Sequence, residues 1–207
     1  MTPRRAAHPD TGRHLLTKAG YHHGNLRAAL IESAVALVRA HGPHDFTLAE
    51  ASRAAGVTAA APYRHFESRE ELLACVAERG FETLRTTMAA VPVVGWADPV
   101  DRVIALGGRY VEFAVSEPQL FRLMFSLENR LPAQAGREAL ALLEDAMAEA
   151  GRAGRLTCDA GTAVRAAWAV AHGVATLRID GMATFRDDDA EAVAVTLRVL
   201  LFGIVRP

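Results

Sequence analysis

Residues 46–73 read FTLAEASRAAGVTAAAPYRHFESREELL, and two four-residue pieces of this stretch set the reading. Thr47-Leu-Ala-Glu50 and Ser68-Arg-Glu-Glu71 are capping-box patterns, in which a hydroxyl and a carboxylate satisfy orphan N–H groups at a helix start. Between them stands Gly56-Val57-Thr58. There a glycine supplies a left-handed turn residue, Val57 a buried plug and Thr58 a cap for the next helix. The pattern predicts a short helix over 47–54, a tight turn, a shorter helix over 58–64 and a long helix over 69–91. Two short helices joined by a glycine turn and braced by a third make a helix-turn-helix.

The outer face of this unit carries the functional signal. Leu48, Ala51, Val57 and Phe66 fall on the core side, and the second short helix offers Thr58, Ala59, Ala60, Tyr63, Arg64 and His65 outward. A DNA major groove admits a helix, and its edges are read by hydrogen bonds and by apolar contact with thymine methyls. Phosphates are met by hydroxyls, basic groups and helix N-termini. The bland alternative is an ordinary three-helix cluster. The alanine run at 59–61 brings no donors, so base readout would rest on Thr58 and methyl contacts.

Working toward the N-terminus, residues 1–19 lack periodicity and read as a flexible basic arm, with Arg4, Arg5, Arg13 and Lys18 available to enter a minor groove. GYHHGNLR (20–27) then leads into a helix whose apolar face is Leu26, Leu30, Ala34, Leu37 and Val38 and which Gly42-Pro43 stops. The net charge of -1 hides an asymmetry: the first 66 residues hold eight Lys/Arg, four Asp/Glu and seven of the eight histidines. A basic, histidine-rich end on an acidic body points to a local anion-binding surface. Metal binding fits poorly, because His22-His23 are adjacent, His41 and His44 sit in a loop, and no cysteine or carboxylate cluster joins them.

Toward the C-terminus, Asp98-Pro99 and Pro118 each open a helix, and further helices are predicted over 132–152, 159–181 and 188–204. No stretch alternates with period two, so the fold class is all-α. No apolar run reaches the roughly 18 residues of a membrane span. Cys75 and Cys158 fit no metal spacing, so a soluble chain in a reducing cytoplasm is expected. The final helix is apolar on two sides, one built from Val193, Leu197, Leu200, Leu201 and Ile204 and the other from Ala192, Val195, Val199 and Phe202. The first is taken as the dimer interface. Arg165, Trp168, His172 and Thr176 share one helical face, readable as a pocket wall or as core packing. Gly173 beside them suggests a close helix approach. Tyr110, Phe113, Phe121, Met124, Phe125 and Met147 are pocket candidates that would serve equally well as core. No Gly-rich phosphate loop and no nucleophile–base set appears, which argues against an enzyme, and no cofactor is implied. A helical module binding other proteins through its last two helices is a third reading, but dimerisation already accounts for that surface.

The 46–73 stretch resembles the DNA-binding segment of the tetracycline-repressor (TetR) family of bacterial transcription regulators. YHHGNLR (21–27), LFRLMF (120–125) and WAVAHG (168–173) resemble a branch whose C-terminal domain carries a Trp-x-x-x-His-Gly signature. The resemblance implies an all-helical homodimer of about nine helices, with a DNA-binding domain over residues 20–67 and a ligand-binding and dimerisation domain over 68–207, its first helix (68–91) connecting the two. It implies that Thr58 to His65 form the recognition helix, that Tyr63, His65 and Thr47 meet phosphates, and that Arg69 stands where the family usually has lysine. It also brings Tyr21, His22 and His23 close to the DNA backbone at the first helix, although Tyr21 would serve equally as a hydrophobic staple with the histidines solvated. The expected partners are double-stranded operator DNA, a second copy of the chain and a small-molecule effector. The expected activity is repression relieved by that effector; a ligand-independent regulator or an activator of the same fold is the alternative.

Overall fold

The computed structural model describes residues 26–126, 134–182, 190–201, 203 and 205. Among them it forms eight α-helices and one 3-10 turn; an isolated bridge between Leu156 and Val205 is the sole extended pairing among the described residues. The arm at 1–19 and the Tyr21, His22 and His23 cluster lie outside the described residues.

Helix α1 (Leu26–His41) buries Leu30, Ile31, Ala34, Val35 and Val38 and stops at Gly42, whose φ of 86° only glycine adopts at ease. Helix α2 (Leu48–Ala54) starts with the full capping box: the Glu50 N–H donates to Thr47 Oγ1 (3.2 Å) and the Thr47 N–H to Glu50 Oε2 (2.8 Å). It ends at Gly56 (φ 72°), where the Val57 N–H reaches back to the Ser52 carbonyl. Helix α3 (Arg69–Ala89) is capped by Ser68, whose Oγ accepts from the Glu71 N–H. It ends two residues before the predicted 91.

The predicted helix over 58–64 is instead a turn at Thr58 followed by a 3-10 helix at Pro62–Arg64. The reason is Pro62. It has no N–H to donate to the Thr58 carbonyl, so that carbonyl takes the Ala61 N–H (3.0 Å), and the His65 N–H bonds Pro62 (2.8 Å). Bonds between residues three apart replace the α ladder. Among the described residues, eight α-helices and this turn stand against the about nine helices expected.

The larger part consists of α4 (Pro99–Ser116), α5 (Pro118–Met124), α6 (Gln134–Arg152), α7 (Ala160–Ile179) and α8 (Ala190–Leu201). Asp98 caps α4 by accepting from the Val100 N–H (2.9 Å), and Asp159 caps α7 by accepting from Thr162 (2.9 Å). Helix α4 is the central post, lying against α6, α7 and α8, while α3 lies against α1, α5 and α6. Two glycines allow the closest approaches. A Cβ at Gly80 would stand 2.6 Å from Met124 Sδ, and one at Gly107 would stand 2.9 Å from Leu197 Cδ1.

One apolar core runs without a break from Leu30 in α1 to Leu201 in α8, passing through α3 at Leu72, Val76 and Leu84. Truncating Leu72 or Leu84 to alanine would cost about 2–5 kcal/mol, counting lost burial and the cavity left behind. Arg102 is buried in this body and pairs with Glu149 of α6 at 3.2 Å, while its Nε has no partner among the described residues. Residues Val193, Leu197 and Leu201, expected at a dimer interface, are turned into this core, at most 7% exposed. Helix α8 packs on α4 and α7, so that face is consumed inside the chain. Ile204 and the Leu200 side chain lie outside the described residues.

Candidate DNA-binding face and ligand cavity

The segment between Gly56 and Ser68 owes its shape to three local devices: the left-handed glycine, the 3-10 turn around Pro62 and the burial of Phe66, which is 2% exposed. With Pro62 and Phe66 held inside, Thr58, Ala59, Ala60, Tyr63 and Arg64 are exposed and His65 is half-buried. Tyr63 is 65% exposed, far more than an aromatic side chain needs for stability. Arg27 of α1 lies over the Phe66 ring (5.2 Å) and donates to Cys75 Sγ (3.0 Å), tying α1 to α3 behind this face.

Thr47 is exposed, but its polar groups are already engaged. Its N–H and its hydroxyl both donate to Glu50 Oε2, at 2.8 and 2.9 Å. These bonds, the backbone one foremost, hold the Glu50 carboxyl below the usual carboxylate range. Arg69 is half-buried rather than extended toward solvent. Its Nε donates to the Phe46 carbonyl (3.0 Å), its Nη2 to the Pro43 carbonyl, and its guanidinium lies 5.0 Å from the Phe46 ring centre. It clamps the α1–α2 loop onto the start of α3.

A cavity of about 380 Å³ opens in the second part of the chain, enclosed by α3, α4, α6, α7 and α8 and by Met124 and Phe125 at the end of α5. Of the pocket candidates read from sequence, Tyr110, Met124, Phe125 and Trp168 line it. His172 stands directly behind: its Nδ1 is 2.8 Å from Tyr110 Oη, and its ring stacks on Phe121 (5.3 Å) and meets Phe125 edge-on (4.8 Å). Burial alone lowers the His172 pKa below the ordinary histidine value, and burial, opposed by the Trp168 hydrogen bond, raises that of Tyr110. Phe113, Phe121 and Met147 are core residues beside the cavity, at most 3% exposed. Arg165 is set apart, donating to Thr162 Oγ1 (2.9 Å) near the exposed start of α7.

Several lining residues had no place in the sequence-based set: Phe81, Leu84 and Met88 of α3, Val103 and Leu106 of α4, Leu140 and Leu143 of α6, and Leu197 and Leu201 of α8. The spacing of 81, 84 and 88 on one face of α3 was the readable signal. A second, larger groove of about 880 Å³ runs outside α4 and α8, where Asp101, Arg109, Glu112, Arg178 and Arg198 stand among apolar residues such as Ile104, Val111 and Val193. Among the described residues no three metal-ligating side chains gather, and no helix is long and apolar enough to cross a membrane.

Comparison with known proteins agrees with this arrangement. Residues 30–76 match the family model for bacterial regulatory proteins of the tetR family, and residues 103–200 match the tetracyclin repressor-like C-terminal domain. Among curated proteins no sequence relative matches the chain. A protein of unknown function from Rhodococcus sp. RHA1 is similar in structure, with 30% identity, a TM-score of 0.75, and coverage of 90% of this chain and 98% of that one. SmeT, the repressor of the Stenotrophomonas maltophilia multidrug efflux pump SmeDEF, has 26% identity and a TM-score of 0.62 over 87% of this chain and 90% of its own. The fatty acid degradation regulator FadR from Bacillus halodurans shares the fold at 19% identity, with a TM-score of 0.66 over 88% of this chain and 98% of its own.

Proposed function

Because the chain belongs to the tetR family of bacterial regulatory proteins, we propose that it is a repressor that binds a palindromic operator as a homodimer and leaves it when a small molecule enters the α3–α8 cavity. The observation that carries this reading is the 58–65 segment, which exposes Thr58, Ala59, Ala60, Tyr63 and Arg64 while Pro62 and Phe66 anchor it from below. In this reading Thr58 and the alanines meet base edges, and Tyr63, Arg64 and His65 meet phosphates. Thr47 contributes from the start of α2, and Tyr21, His22 and His23 from the chain preceding α1. The functional boundary falls near residue 68, with α3 serving both parts. A dimer sets two such segments in successive major grooves, about 34 Å apart or a small multiple of that.

Release requires the ligand to bind the DNA-free arrangement more tightly than the DNA-bound one. Helix α3 supplies the path, since Phe81, Leu84 and Met88 face the cavity while Arg69 at its other end clamps the loop before α2. The test is selection from random duplexes on the purified protein, followed by a salt series on the selected sequence. A palindrome whose log affinity falls steeply with log salt is the expected result. Absence of any enriched sequence sinks the proposal. Deletion of the gene should raise transcription from promoters carrying the selected site; lowered transcription would make the protein an activator.

A further inference from the structure

The cavity's polar corner names the kind of molecule it takes, an inference that rests on the ligand-responsive reading above. The wall is aliphatic and aromatic apart from Tyr110, Trp168, Ser126 and Arg137. Ser126 donates its proton to the Leu123 carbonyl (3.0 Å), and Arg137 is exposed and bonded to Gln134 (2.5 Å). The remaining polar side-chain atoms of the lining residues are Tyr110 Oη and Trp168 Nε1, which are 3.5 Å apart. That is wider than the usual range of about 2.7–3.2 Å, so the contact is weak.

The direction of the chain of bonds follows from the donors. An indole N–H can only donate, so Tyr110 Oη accepts from Trp168 and passes its own proton to His172 Nδ1 at 2.8 Å. The opposite arrangement, with His172 donating to the phenol, would leave the Tyr110 proton without a partner in an apolar cavity, at an unfavourable cost. The Tyr110–Trp168 gap therefore presents one N–H donor and one acceptor lone pair. An ether, ketone or carboxylate can only accept there, and an ammonium can only donate. A hydroxyl does both. No carboxylate lines the wall to balance a cation, and Trp168, 41% exposed, has room to swing aside.

The geometry points to an uncharged, apolar ligand bearing one hydroxyl, an alcohol or a phenol, whose oxygen sits between Trp168 Nε1 and Tyr110 Oη. The resulting chain runs from the indole N–H through the ligand O–H and the Tyr110 O–H to His172. A volume of about 380 Å³ lies at the small end of ligand sites, which span roughly 300–1,000 Å³, so a compact or medium-chain molecule fits.

The chain has two tryptophans, and Trp96 does not line this cavity, so Trp96→Phe leaves Trp168 as the reporter. Its fluorescence is titrated with 1-octanol, the isomeric heptyl methyl ether, octanoate and octylammonium. Octanol should bind roughly tenfold more tightly than the ether, the effect of one well-made hydrogen bond, and more tightly than either ion. In the Tyr110→Phe background the alcohol-to-ether ratio should fall toward one while ether affinity holds, with a lower melting temperature because His172 Nδ1 loses its partner. Equal binding of alcohol and ether, a ratio that survives Tyr110→Phe, or octanoate binding most tightly (which would make Arg137 the anchor) each overturns the assignment. Adding the selected duplex separates the two readings. If octanol is preferred but leaves DNA binding unchanged, ligand-driven release falls and the pocket chemistry stands. If the ether displaces DNA as well as the alcohol does, the hydroxyl requirement falls and ligand-driven release stands.

Discussion

The guanidinium of Arg69 donates to the carbonyls of Pro43 and Phe46 and covers the Phe46 ring, so its fork shape matters more than its charge. Lysine keeps the charge but neither the two-carbonyl geometry nor the stacking. Arg69→Lys should destabilise the fold by about 1–2 kcal/mol through the lost bonds, read as a lower urea midpoint. Operator binding separates clamp from phosphate contact. For a clamp, both Arg69→Lys and Arg69→Ala leave the slope of log affinity against log salt unchanged. A phosphate contact would flatten the slope by about 0.9 in the alanine variant. His172 offers a second test at this scale. Burial lowers its pKa in the folded chain below the ordinary 6.5, so the unfolded state binds the proton more readily. The stability gained from neutral His172 is present above 6.5 and is lost as pH falls below it toward the folded pKa. His172→Gln, which still offers Tyr110 an acceptor, should lack this loss. The urea midpoint of wild type should therefore fall relative to that of the variant between pH 7.5 and 5.5, and parallel curves would show that His172 does not titrate against folding.

Among the helices, starts were more legible than faces. Thr47, Ser68, Asp98 and Asp159 each cap the helix that follows through a bond to a backbone N–H two or three residues on, and that chemistry depends on adjacent residues alone. The 58–64 segment was placed correctly, but its form was not foreseen, because Pro62 removes the one donor an α turn from Thr58 needs. Val57, read as a buried plug, is half-buried against the core. The larger misreading was of α8. Its sequence is apolar on two sides, and periodicity cannot say which side meets the chain's own core. The close approach of α4 at Gly107 decided it, drawing in Leu197 and with it Val193 and Leu201. Gly173 was likewise read as a close-packing site, yet a Cβ there would meet no atom of the described residues within 4 Å. The cavity was half legible for a related reason. Tyr110 and Trp168 stood out by type, while Leu84, Leu106 and Leu143 look like any core leucine until five helices leave space between them.

At the scale of the whole molecule, large apolar side chains among the described residues are exposed at Tyr63, at Val93 and Val94 before α4, at Val115 of α4, and on the two C-terminal helices, which pack against each other. On those helices Leu177 (38%) of α7 and Val195 (55%) and Val199 (65%) of α8 face outward. Exposed apolar residues on two adjacent helices are the kind of surface that marks an interaction site, and in a two-fold dimer the same surface meets itself. The exposed side of α8 therefore replaces the buried one as the proposed interface. Val195→Glu with Val199→Glu should leave the fold intact, since neither side chain is in the core, and give a monomer in sedimentation at micromolar concentration. Losing the linked second site should weaken palindrome binding roughly a hundredfold or more, with half-site affinity unchanged. Gly173 gives the same question a test of sign. In a monomer, Gly173→Ala in the middle of α7 should stabilise the helix by about 1 kcal/mol. If a partner's helix approaches this open, half-buried glycine, the added methyl meets it, and the substitution weakens the dimer instead. Melting temperature measured against protein concentration reads both effects. A gain that holds at every concentration places α7 outside the interface, whereas a loss confined to the concentrations at which the dimer forms places Gly173 at its centre.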